Sequence, residues 1–168
     1  MTWVAGFDPG ASAALVVLRC DGRSKPEWVG GWNIWGTPPL RWARLVSAFG
    51  EIGQPVGLST PQLAIETPAG GGASSRRNGW QVSVGRSIGQ AEALAKLAGW
   101  RVEIVPANVW PGRAGVRCGK QGEGLHRISE AKACIEGYPA LALPETKAGR
   151  ERQVCLAEAA LIARSQIN

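Results

Sequence analysis

Two carboxylates close apolar runs in this chain: Asp8 ends TWVAGFD and Glu66 ends PQLAIE. A third, Glu158, sits within LAEAALIA, among neighbours that would bury it. An acid near the buried side of a helix is costly unless it is paired or metal-bound. Carboxylates drawn from two strand ends and one helix suit hard divalent cations, which take oxygen ligands and keep several waters. Two such ions about 4 Å apart can activate a water and stabilise the leaving oxygen of a phosphodiester. Each acid also has a plainer reading. Asp8 precedes Pro-Gly and would cap a turn, and Glu66 would simply reach water. Glu151, Cys155 and Glu158 share one helical stripe at i, i+4 and i+7. Glu151, however, opens that helix, where a carboxylate favours the dipole. The expected set is Asp8, Glu66 and Glu158.

Positive charge lies beside these acids. Glu66 is followed by TPAGGGASSRRNGW, which holds Arg76 and Arg77, and Arg86 comes soon after. A second glycine-rich basic stretch, GRAGVRCGKQGEG, contributes Arg113, Arg117 and Lys120. The formal net charge is +6 with a pI near 9.6, and arginine outnumbers lysine 14 to 5. That bias fits phosphate recognition, because guanidinium forks match phosphate oxygens. A solvated basic surface accounts for the charge equally well.

Composition removes several classes. The four cysteines form no CxxC pair, and His126 is the single histidine, so no structural zinc is expected. Free thiols fit a reduced, cytoplasmic setting. The opening MTWVAGFDPG lacks the features of a signal peptide. No run approaches the ~20 apolar residues of a membrane helix. The length of 168 residues fits one domain spanning 1–168, without repeat or linker.

The elements that must position the acids follow from periodicity and turn signals. TWVAGFD and ALVVL read as a hairpin closed at PGA, and EWVGGWNIW as a third strand. A helix is expected over 40–51, with Trp42, Leu45, Val46 and Phe49 as its apolar stripe. PQLAIE is a strand apolar enough to be buried on both faces. After a loop over 67–79, a second helix buries Val84, Ile88, Ala91, Ala95 and Ala98, and Gly85 and Gly89 would permit close packing. RVEIVPA is a fifth strand, and ANVWPG begins a short helix. Residues 112–124 read as a loop, and helices are expected over about 126–136 and 151–165. In the last, Val154, Ala157 and Leu161 form the apolar face. The pattern predicts an α/β fold with a mixed five-stranded sheet and helices on both faces.

These segments together resemble the RuvC-type Holliday junction resolvases of the RNase H-like superfamily. GFDPGASAALVVL is similar to that family's first hairpin, and AIETP with GRSIGQAEALAKL to its second acidic motif and long helix. VEIVPANVW is similar to the next strand and turn, and LAEAALIA to the closing helix with the last acid. The resemblance implies metal ligation by Asp8, Glu66 and Glu158, with two Mg²⁺ (or Mn²⁺) ions per site. It implies a homodimer that cuts four-way DNA junctions symmetrically, and the compact size would suit a bacterial or phage protein. The position one turn before the last acid, usually an acid or histidine, is Cys155, a soft ligand that suits Mg²⁺ poorly. The last acid is glutamate where aspartate is common. Pro111 stands where a basic residue often follows the turn, leaving Arg113, Arg117 and Lys120 to supply that charge. The loop after the second acid would enter the junction, with Trp80 as its stacking aromatic or, equally, a core anchor.

His126 is expected at the surface of a helix start, and Trp3, Trp28, Trp32, Trp35 and Trp42 in packing roles. Two other functions share these features. One is a non-catalytic junction-binding protein in which Cys155 marks a decayed metal site. The other is an RNase H-like nuclease for RNA–DNA hybrids.

Overall fold

The computed structural model describes residues 1–10, 12–22, 25–53, 59–68, 78–116, 124–139 and 146–167, and the side chains of 78–80, 124 and 125 are not among the described ones. Ten elements follow in chain order: β1 (Thr2–Asp8), β2 (Ser12–Cys20), β3 (Glu27–Trp35), α1 (Pro38–Ile52), β4 (Gln62–Thr67), α2 (Asn78–Leu97), β5 (Arg101–Pro106), α3 (Trp110–Ala114), α4 (Gly124–Cys134) and α5 (Lys147–Arg164). The sheet order is β3-β2-β1-β4-β5. β1 to β3 form an antiparallel meander, whereas β4 runs parallel to both β1 and β5. The expected mixed α/β sheet with helices on both faces is present.

Strand alternation divides the core into two layers. Ala5, Phe7, Leu15 and Leu63 face α1 and α2, while Val4, Val16 and Ala64 face α3, α4 and α5. Both layers are closed, so the central strands read as almost unbroken apolar runs. Successive side chains alternate across a sheet. Asp8 therefore shares the α5 face with Val4 and Gly6, and Glu66 shares it with Ala64. The last paired residues of β1 and β4 are Phe7 and Ile65. Asp8 and Glu66 thus leave neighbouring strands side by side, at one end of the sheet.

The helices correct the expected pattern in four places. The buried residues of α1 are Arg41, Leu45 and Ala48, while Trp42 and Val46 are 38% and 42% exposed. The helix is rotated from its apolar stripe because Arg41 is anchored inward. Its Nη1 donates to the Gly10 carbonyl (3.1 Å) and its Nη2 to Ser83 Oγ on α2 (2.9 Å). Trp42 is consequently a surface residue. On α2, Val84, Ala91 and Ala95 are buried as expected, but Ala98 lies beyond the helix and is exposed. Finally, α5 begins a turn earlier than its apolar run, because Thr146 caps it by accepting from the Gly149 amide at 3.2 Å. Its buried side extends over Leu156, Ala157 and all of Ala159–Ala163, while Val154 is only half-buried. Residues 112–114, expected in a loop, belong to α3.

One glycine sets the distance between β1 and α5. A Cβ on Gly6 would overlap the Ala159 carbonyl oxygen and lie 2.5 Å from the Ala163 amide nitrogen. Both obstacles are helix backbone, so no side-chain rotation relieves them. Gly6→Ala should therefore destabilise the protein by about 3 kcal/mol or more, a fall in Tm of roughly 6–12 °C. A thermal melt superimposable on wild type would show that α5 does not sit this close to β1.

Candidate functional site

The close seating of α5 on β1 brings its acid and thiol to the end of the sheet. Donor atoms of Asp8, Cys155 and Glu158 all lie within 4.8 Å of one another, and all three residues are half-buried. Among the described residues this is the one such group. Glu66 lies outside that radius but adjoins it, since its charge acts on Asp8 and is acted on by Glu158. Glu151 is exposed one turn before Cys155 on the same helical stripe, outside this group, although its charge reaches Cys155.

The electrostatics are those of crowded, partly desolvated acids. Burial, then the charges of Glu158 and Glu66, hold the Asp8 carboxyl well above its ordinary range, and the neighbouring Cys155 thiol moderates the shift. Glu66 is pushed up to about 7 by burial and then by Glu158. Burial also raises Glu158, opposed by Arg127. The Cys155 thiol is pushed far up by burial and by Asp8 and Glu158, so it stays protonated. A metal-bound cysteine would have to lose that proton. The oxygen donors fit a hard cation, whereas the thiol does not.

Two residues at this site were not singled out in the sequence. Arg127, on α4, lies with Nε 3.9 Å from Glu158 Oε1 and pairs with Glu130 at 3.0 Å. Its guanidinium also lies over the Trp110 ring, 5.1 Å from the centroid. The Trp110 indole N–H is outside hydrogen-bond geometry, yet with Arg127 it draws the Glu66 carboxyl back towards ionisation. The i, i+3 spacing of Arg127 and Glu130 is the only local signal, and it reads as a surface pair. Arg41 is the second, tying the turn after Asp8 to α1 and α2. It falls among polar and apolar residues alike, so periodicity could not mark it.

The basic residues fare differently. Arg113 pairs with Glu103 at 2.6 Å, so its charge is already partly met on β5. Arg86 is exposed on α2. The backbone of Trp80 lies in the first turn of α2, and its side chain is outside the described residues, as are Arg76, Arg77, Arg117 and Lys120. His126 is exposed near the start of α4, as expected. Cys20, Cys134 and Cys155 are free thiols. No described helix is long and apolar enough to cross a membrane.

No family model and no curated protein matches this sequence. Solved structures do. Thermus thermophilus RuvC in complex with Holliday junction substrate superposes with a TM-score of 0.64 at 21% identity, covering 98% of this chain and 92% of that one. The Thermus thermophilus RuvC structure gives 0.66 at 19% identity over the same shares. The yeast mitochondrial Holliday junction resolvase gives 0.55 at 15% identity, covering 96% of this chain and 77% of that one. The likeness is one of fold, the RNase H-like fold in its RuvC form, and it runs nearly end to end.

The raised carboxyls make stability depend on pH. A carboxyl that holds its proton more tightly when folded stabilises the fold fully below its unfolded pKa, and that contribution is lost as pH rises through the folded one. For Glu66 the window runs from the ordinary 4.5 to about 7, and Asp8 and Glu158 act in the same direction. In EDTA the protein should lose up to about 3 kcal/mol for Glu66 over that window. Added Mg²⁺ or Mn²⁺ should restore Tm at neutral pH in proportion to binding. Thermal melts across pH, with and without metal, test this; a flat profile in EDTA would mean the acids are not crowded.

Proposed function

We propose that this chain is a metal-dependent endonuclease that resolves four-way DNA junctions by phosphodiester hydrolysis. The observation that carries the reading is the convergence of Asp8, Glu66 and Glu158 at one end of a RuvC-form sheet, in a chain with a basic surplus. Asp8, Glu66 and Glu158 would hold Mg²⁺ or Mn²⁺, and Cys155 would adjoin a second ion if one binds. A divalent ion there supplies positive charge for the scissile phosphate and lowers the pKa of a water.

The chain's own groups do the rest. Arg41 fixes the turn that carries Asp8, and Gly6 lets α5 set Glu158 opposite it. Arg127 balances part of the charge of Glu158 and holds it in place. Arginines and Lys120 beside the site would hold the flanking backbone, and Trp80 would stack on an opened base. Hydrolysis would leave a 5′-phosphate and a 3′-hydroxyl. Symmetrical incision calls for two copies. α2 offers a contact face, since Val82 and Leu97 are 61% and 84% exposed and Cβ positions at Gly85 and Gly89 meet nothing within 4 Å.

The protonated Cys155 thiol favours a second reading, a junction-binding protein whose metal site has lost a ligand. Asp8→Asn and Glu66→Gln separate the two. Under the nuclease reading each should reduce nicking of a synthetic junction by at least about 100-fold in Mg²⁺ while leaving gel-shift binding within a few-fold, since shape is kept and charge is lost. A junction bound but never cut by wild type in either metal would favour the binding protein. A mutant that cuts at the wild-type rate would remove the carboxylates from the mechanism. Cys155→Asp should raise cleavage most in limiting Mg²⁺, with Cys155→Ser as the uncharged control.

A further inference from the structure

At the same end of the sheet, Trp35 closes the edge strand β3, paired across the hairpin with Ser12. The guanidinium carbon of Arg44, from α1, lies 3.7 Å from its ring centroid, and that of Arg152, from α5, lies 3.9 Å away. Both guanidiniums lie over the ring, and the indole is met by arginines that reach it from the two helix layers. One guanidinium stacked on an exposed indole is stabilised by about 0.5–1 kcal/mol. Two cations on one ring also repel each other, and the described structure offers them no acid. No described carboxylate pairs with either arginine. Glu51, which lines the adjacent groove with Arg44, is taken up by the Trp32 indole N–H at 2.7 Å and by Ser47 at 3.1 Å.

The donors remain available. Arg44 spends one N–H on the Trp35 carbonyl at 2.7 Å, and Arg152 makes no hydrogen bond to any described residue. A guanidinium resting over a ring can keep N–H groups of its fork free, and that fork grips phosphate oxygens in pairs. Arg152 lies three residues before Cys155 on α5, about 4.5 Å along the helix axis.

We propose that Arg44, Trp35 and Arg152 form a phosphate clamp for the DNA strand running past the acidic site. The stacked indole pre-orders both arginines, so that binding does not have to immobilise two long side chains. The inference rests on the nucleic-acid reading above and adds to it a contact surface on β3, α1 and α5.

The test is the salt dependence of binding to a synthetic four-way junction in EDTA, with melting temperatures measured alongside. Arg44→Gln with Arg152→Gln should lower the slope of log affinity against log salt by about 1.8, at about 0.9 per phosphate contact. Arg44→Lys with Arg152→Lys keeps both charges and should keep the slope. A neutral double variant with the wild-type slope overturns the clamp and leaves junction binding standing. Wild type that binds no DNA overturns the nucleic-acid reading and the clamp with it. Should the neutral variant fail to fold, phenylglyoxal modification of wild type reads the same contacts. Junction DNA should protect Arg44 and Arg152 several-fold, and equal modification with and without DNA overturns the clamp.

Discussion

The contact between the backbone of α5 and Gly6 of β1 is the constraint on which the site depends. Any side chain at position 6 would strike the Ala159 carbonyl and the Ala163 amide. Small residues on the facing turns of α5 complete the fit, with Ala159, Ala160 and Ala163 fully buried. Interiors are packed to crystal density, so such a contact tolerates little displacement. Because side chains at i and i+4 share a helix face, fixing Ala159 and Ala163 over Gly6 also fixes Cys155 over Asp8. The chemistry at the end of the sheet is therefore positioned by packing in its middle.

That placement has an electrostatic cost. Asp8, Glu66 and Glu158 would ionise readily in water, but here burial holds all three towards the protonated form, and repulsion from neighbouring acids adds to it for Asp8 and Glu66. Arg127 is the cation that opposes this, and it is shared with Glu130. An arrangement that crowds acids and supplies little compensating charge is destabilising unless a cation binds. The fold carries that cost on two interior strands and a helix buried along one side. Arg41 adds a further brace by holding the turn after Asp8 from the opposite layer.

Two kinds of cation contrast among the described residues. Some are spent within the fold, as with Arg113 on Glu103 and Arg19 on Glu27. Others, such as Arg44 and Arg152, are ordered by an aromatic ring and not by an acid, which fixes their position while leaving their charge and donors unspent. A count of basic residues cannot distinguish these. Both contribute equally to a net charge of +6, yet the first must break an ion pair before meeting a phosphate and the second need not.

The sequence by itself determined the element order and the five strands, and it marked three acids at the ends of apolar runs or within one. Period-two alternation, proline and glycine punctuation and acids at the ends of apolar runs are local signals, and local signals survive in one dimension. It also marked Cys155 as the residue one turn from Glu158, since helical spacing is arithmetic. The tertiary structure decided which neighbours the acids have and which face each helix buries. The α1 stripe read from Trp42 and Val46 was displaced because Arg41 found acceptors 31 and 42 residues away in the chain. Trp35 looked like edge packing until α1 and α5 each delivered an arginine to it. Arg127 carries no sequence mark of the site and reaches it only because α4 lies beside Glu158. In each case the deciding partner lies on another element, and the energy that selects it comes from desolvation and charge at close range. Those terms exist only once the sheet has brought the elements together.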